Sequence, residues 1–179
     1  GLITIAQALA ESRNVPTIRL ANAIGPAVIA QTAKRFGLKQ NIPPFLSIAL
    51  GSVEVTLEEI VSAFSAFPNH GVRAEPYFIQ RVEDGNGVIL QEHTLAVHDA
   101  LVTQEVADKM LYLFQEVIRR GSGRTLLSIG HPMGGKTGTT NEATDVWFVG
   151  FTRNLTAGVW LGFDNNTPLG DRVYGSTLA

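Results

Sequence analysis

Gly134-Gly135-Lys136-Thr137-Gly138-Thr139-Thr140, followed after a short polar stretch by Val146-Trp147-Phe148-Val149-Gly150-Phe151, sets the architecture of this chain. A glycine turn leads in and an aromatic, β-branched run leads out, so both segments have the composition of strands. Lys136 and the hydroxyls of Thr137, Thr139 and Thr140, grouped around Gly138, can form a cradle for an anion and a carbonyl. Thr137 and Thr139 lie two apart on a strand and share a face, where their hydroxyls can hold a carboxylate while Lys136 supplies positive potential. Gly138 has no Cβ and lets another backbone approach closely, so an extended substrate could pair with this edge. Such a cradle serves a nucleophile, and the rest of the chain has to be searched for one.

Working outward, Leu155 to Phe163 forms a second apolar run after Thr152-Arg153-Asn154. Both runs are apolar on both faces, which predicts central strands in a covered sheet and puts Trp147 and Trp160 in the core. The long stripe Val106, Ala107, Met110, Leu111, Phe114, Val117 and Ile118 predicts a core helix capped by Thr103, with Arg119 and Arg120 in its last turn and Gly121 as its stop. Thr56 with Glu59 is a capping box ahead of Leu57, Ile60, Val61, Phe64 and Phe67, and Pro68 and Gly71 end that helix. Tyr77 to Val82 and Val88 to Gln91 read as short strands around Asp84-Gly85-Asn86-Gly87. The first half is helical in period: Ile3 to Ala10 carries an apolar stripe, and Pro26 opens a helix that stops at Gly37. Helices first and hairpin-linked strands later, without regular βα alternation, give an α/β chain of the α+β type, an antiparallel sheet with helices packed on it.

With 179 residues, 45% apolar and 17% charged, the chain can bury one sizeable core, and residues 1–179 read as one domain or most of one. The net charge of −2 carries no run of like sign, which argues against a nucleic-acid partner. There is no cysteine, hence no disulfide framework or thiolate metal site. His70, His93, His98 and His131 show no metal-binding spacing and are expected at the surface; neither a metal nor a cofactor is expected. Glu58-Glu59 in a helix first turn and Glu83-Asp84 beside a hairpin are expected to be structural. No apolar run approaches the length of a membrane span. Gly1 lies inside an amphipathic segment and Gly175 to Ala179 resembles the opening of another element, so both ends read as cuts.

Two motifs compete for Lys136. Residues 130–137 satisfy G-x-x-x-x-G-K-[ST], the phosphate loop of an NTPase. That loop must open a helix, whereas Thr137 leads into a glycine, two threonines and then a strand, so the nucleotide-binding reading is a remote alternative. The other is Ser12-Arg13-Asn14, at the end of the first helix and ahead of Val15-Pro16-Thr17. A serine and an asparagine two apart, where a helix gives way to a Pro-bearing loop, can point a hydroxyl and an amide into one cleft. A helix stopped at Asn14 ahead of Pro16 is the structural alternative.

Ser-x-Asn followed much later by Lys-Thr-Gly on a strand is similar to two of the three motifs of penicillin-binding proteins and serine β-lactamases. The wider wording, Ser12 to Thr17, Gly51 to Glu58 and Gly135 to Asn141 with Asp145, Trp147, Phe148 and Gly150, resembles the transpeptidase domain of bifunctional class A penicillin-binding proteins over nearly the whole chain. The resemblance implies acyl transfer: a serine attacks the D-alanyl-D-alanine bond of a peptidoglycan stem peptide and passes the acyl group to an amine on a neighbouring strand. It implies that Ser12 shuttles protons, Asn14 binds the substrate amide and Lys136 stabilises charge. Thr137 and Thr139 would bind the terminal carboxylate, with Gly138 and Thr140 beside them, and the Thr139 N–H would form half of an oxyanion hole. β-Lactams would be ligands. The resemblance further implies work on the outer, periplasmic face of the cytoplasmic membrane, with a membrane anchor and a glycosyltransferase domain upstream.

One departure is large. The family's first motif, Ser-x-x-Lys, provides the nucleophile through i,i+3 spacing on a helix. Three residues before Lys34, Lys39, Lys109 and Lys136 stand Gln31, Phe36, Val106 and Met133. In the family that motif precedes Ser-x-Asn, so the resemblance implies a nucleophile before Gly1, and it implies a last helix beyond Ala179. A non-catalytic penicillin-binding sensor module is the alternative from another functional class.

Overall fold

The structure, a computed structural model, describes residues 1–94, 98–170 and 173–175. Strands β1 (Arg81–Glu83) and β2 (Ile89–Glu92) form a hairpin, and β3 (Gly134–Thr139), β4 (Asp145–Phe151) and β5 (Thr156–Gly162) form an antiparallel sheet in that order. The helices are α1 (Ile5–Ala10), α2 (Asn14–Ile24), α3 (Pro26–Arg35), α4 (Leu57–Ser65) and α5 (Gln104–Arg120). Lys136 pairs with Val149 and Thr137 with Phe148, so the Lys-Thr-Gly strand takes one edge and β4 the centre.

The period of two sorts the sheet into faces. Gly134, Lys136 and Gly138 share a face with Trp147, Val149 and Phe151, and this is the face that α4 and α5 cover. The fit is close: a Cβ on Gly134 would lie 3.0 Å from Phe114 Cβ, and one on Gly158 would lie 2.9 Å from Leu57 Cδ1. Phe114 on α5 meets Phe151 edge-on at 5.8 Å between ring centroids and meets Phe64 and Phe67 at 5.1 and 5.2 Å. Val117, Ile118 and Val149 complete this core, and Val146, on the other face of β4, is buried too.

The α+β antiparallel architecture agrees with the sequence, and so does the central, buried position of β4. The covered sheet does not extend to β5. Val159 and Leu161 are exposed, and Trp160 keeps 37% of its surface open while its indole N–H donates to Asp145 Oδ1 at 2.7 Å. Trp160 therefore has a polar tie rather than a core position, and Trp147 beside it is half-buried. The first strand of the small hairpin starts at Arg81 rather than Tyr77, and Tyr77 stacks on His93 with ring centroids 4.0 Å apart. Its turn forms as expected: Asp84 Oδ1 accepts the N–H groups of Asn86 and Val88, and Gly87 takes a φ of +81°.

Most helix ends follow their signals, but α4 closes at Ser65, ahead of Phe67 and Pro68. Thr56 Oγ1 accepts the Glu59 N–H at 3.2 Å while Glu59 accepts the Thr56 N–H at 3.1 Å, closing the capping box. Glu59 also accepts from Lys39 N and Gln40 Nε2, which is how a carboxylate this buried is satisfied. Pro26 opens α3. Among the α-helices of the described residues, the one the sequence hides is α2. Asn14 is its first residue rather than a stop, and Pro16 is its third, where the missing N–H has no intrahelical acceptor to lose. The break lies two residues earlier, at Ser12, whose φ is +52°. All four histidines are exposed. Among the described residues no helix is long and apolar enough to cross a membrane.

Candidate active site

Three segments converge at the β3 edge. The first is the turn after α1: Ser12 N–H donates to Leu9 O and Arg13 N–H to Ala8 O, a tight reversal that lifts Ser12 out of the helix. The second is the knuckle after α5, where the Ser122 N–H donates to Ala10 O at 3.0 Å. Gly121 is needed there because a Cβ would collide with the Ala10 carbonyl; its backbone is extended, so close approach rather than a left-handed turn selects the glycine. The third is β3 itself.

Lys136 Nζ donates to the Ser12 hydroxyl and, at 2.8 Å, to the Thr137 carbonyl. The two motifs are 124 residues apart in sequence and meet here in a direct lysine–serine contact. Burial of the amine lowers its pKa from the ordinary 10.5 to about 8. An ammonium carries three donors, so one is left for a group entering the cleft. Thr137 Oγ1 lies 2.6 Å from Ser122 Oγ. Thr139 Oγ1 accepts the N–H of Gly175 at 3.1 Å, and a Cβ on Gly175 would lie 2.6 Å from the Gly138 oxygen, so the chain's own backbone approaches closely at Gly138.

The other expected residues are placed differently. Asn14 lies exposed at the start of α2, and it is Ser12 that makes the contact with β3. The Thr140 hydroxyl accepts Asp145 N–H at 2.8 Å and lies 2.8 Å from Thr144 Oγ1, so it closes the β3–β4 turn. Glu142 and Ala143 carry positive φ within that turn. A phosphate loop is excluded by geometry: Lys136 and Thr137 sit in mid-strand, and β3 runs on to Thr139 and into a single 3-10 turn (Asn141–Ala143) rather than opening an α-helix at Thr137. Ser122 escaped the sequence reading, because Gly121-Ser122-Gly123 shows only a helix stop. Among the described residues no group of three or more acidic or histidine side chains is placed to hold a metal.

A helix-backed antiparallel sheet with Lys-Thr-Gly on its edge strand, facing a Ser-x-Asn turn, has the arrangement of the penicillin-binding protein and serine β-lactamase class. The family model described as the penicillin-binding protein transpeptidase domain matches residues 1–166, and the chain belongs to that family. Penicillin-binding protein 1A of Rickettsia bellii is 34% identical over 200 aligned positions that take in 99% of this chain and 25% of that protein. The crystal structure of penicillin-binding protein 1A from Haemophilus influenzae superposes with a TM-score of 0.88 at 25% identity, covering 97% of this chain and 32% of that one. PonA1 from Mycobacterium tuberculosis in complex with penicillin V gives a TM-score of 0.85 at 28% identity, covering 99% and 53%. The chain thus spans about a quarter of the length of the curated relatives it matches.

Proposed function

We propose that this chain forms one wall of a peptidoglycan D,D-transpeptidase cleft, which cross-links stem peptides through a serine acyl-enzyme, within a bifunctional glycosyltransferase and transpeptidase. The observation that carries the reading is the Lys136 ammonium seated on the Ser12 hydroxyl. A nucleophilic serine from a Ser-x-x-Lys motif, which this sequence does not contain, attacks the carbonyl of the penultimate D-alanine. The C–N bond breaks, and the departing D-alanine amine takes a proton through Ser12. An amine of a second strand then displaces the serine oxygen and restores its proton.

Lys136 matches that task. With a pKa of about 8, roughly one amine in ten is neutral at pH 7, so the group can both stabilise charge and exchange a proton with Ser12. Thr137 and Thr139 offer hydroxyls to the terminal carboxylate, with Gly138 between them and Thr140 at the turn, while Asn14 binds the substrate amide. The Thr139 N–H is one donor of an oxyanion hole, worth about 3 to 4 kcal/mol. β-Lactams enter the same cleft as acyl donors, a reading supported by the PonA1 complex with penicillin V. The setting is the outer face of the cytoplasmic membrane, with the membrane anchor outside this chain.

Fluorescent penicillin tests the proposal. A full-length protein carrying this chain and a Ser-x-x-Lys motif is expected to be labelled covalently, and the 179-residue chain alone is not. Labelling of the 179-residue chain would contradict the assignment of the nucleophile. An unlabelled full-length protein would overturn acyl transfer and favour a non-catalytic module.

A further inference from the structure

The Gly121-Ser122-Gly123 knuckle lies between the two halves of the cleft. Gly121 and Gly123 both donate their N–H groups to Val117 O, at 3.1 and 3.0 Å, and the Ser122 N–H reaches across to Ala10 O, two residues before Ser12. At Gly121 a Cβ would meet the Ala10 backbone, and at Gly123 it would lie 2.7 Å from Ile118 Cδ1, the end of a side chain that would have to shift. The Ser122 backbone is therefore fixed from both sides, and its hydroxyl stands 2.6 Å from that of Thr137. Both residues are half-buried, held in place but reachable from solvent.

Each hydroxyl carries one proton. Whichever group donates within the pair, one O–H is used there and the other is left for a third partner. We propose that Ser122 is a positioning residue that fixes the Thr137 hydroxyl, so that the pair presents one O–H to the carboxylate of the acyl donor. The Lys136 ammonium, next to Thr137 on the strand, makes the surroundings favourable to that anion. Through Ala10 and Thr137 the same serine also braces the Ser12 turn against β3. The inference rests on the acyl-transfer reading above.

The test compares acylation of the full-length protein carrying this chain by penicillin and by its methyl ester, in which the carboxylate charge is removed. In Ser122→Ala the rate constant with the acid is expected to fall about tenfold, the equivalent of about 1.4 kcal/mol, while the ester rate stays within about twofold. Ser122→Thr, which keeps the hydroxyl, is expected to restore most of the acid rate. Equal losses with acid and ester would mean general damage to the cleft and would overturn the proposal, as would no loss with either. Should the alanine variant not fold, Ser122→Cys, close in volume but a weak donor, carries the same comparison. A parent protein that neither compound acylates would overturn the acyl-transfer reading itself, an outcome distinct from a parent that reacts while the variant matches it.

Discussion

Lys136→Met isolates the cost of burying a charge beside Ser12. The folded-state pKa of about 8 lies below the ordinary 10.5, so between these values the unfolded chain holds a proton that the folded chain has released. Stability of the parent therefore rises with pH across that window. Below about pH 8 the folded state carries the full burial penalty, and above about 10.5 it carries none. At about 1.36 kcal/mol per decade of proton affinity, the penalty is about 3 kcal/mol. Methionine has similar length and no charge, so the stability of the variant minus that of the parent is expected to be largest near pH 7 and about 3 kcal/mol smaller by pH 11. Lost hydrogen bonds to Ser12 and the Thr137 carbonyl add an offset that this difference between pH values removes. Urea unfolding of both proteins at intervals from pH 6.5 to 11 measures it, because other titrating groups cancel between parent and variant. A difference that stays flat, or grows with pH, would refute the assignment of burial as the dominant influence on Lys136.

Gly121→Ala would place a Cβ 2.7 Å from the Ala10 carbonyl carbon, among backbone atoms that cannot swing aside, and is expected to cost about 1 to 3 kcal/mol in unfolding experiments. Gly85→Ala, with nothing within 4 Å of the new Cβ, is its control and should change stability by less than about 0.5 kcal/mol. Glu59→Ala removes the acceptor for the N–H groups of Thr56 and Lys39 and for Gln40, and should lower stability by about 2 kcal/mol at neutral pH. The Glu59 carboxyl is held below its ordinary 4.5 chiefly by the Thr56 N–H, against the opposing pull of burial. The parent's advantage over Glu59→Ala is thus full above pH 4.5 and shrinks as the pH falls through the lowered folded-state value, which acid unfolding can follow.

The elements that the sequence made legible are those in which neighbours along the chain carry the information. The Thr56 and Glu59 cap, the apolar stripe of α5 and the aromatic, β-branched run of β4 are local patterns, and each became the element it predicts. The Lys-Thr-Gly strand was legible from its threonines and the apolar run after it, whereas Gly134-Gly135, which reads as a turn, lies inside the strand. Helix α2 was hidden because Pro16 reads as a break until its place in the first turn is known. Apolar runs give the period of a strand but not its covering, so the exposure of β5 and the polar tie of Trp160 could not be read. In the site, Ser12 and Lys136 were named as partners from motif resemblance, and the fold brings them into contact. The Ser122–Thr137 pair left no signal, because two hydroxyls that meet across fifteen residues have no period and a serine between glycines looks like a turn.

The contact between Lys136 and Ser12 is the centre of the account, and a double-mutant cycle on acylation tests it most directly. Ser12→Ala and Lys136→Met, singly and together in the full-length protein, are compared by the rate constant of reaction with penicillin. If the two side chains act as one proton-handling unit, each single variant slows acylation about a hundredfold or more and the double variant is no slower than the worse single one. A double variant slowed by the full product of the single effects, about ten-thousandfold or more, would mean that the residues act independently and would contradict the account.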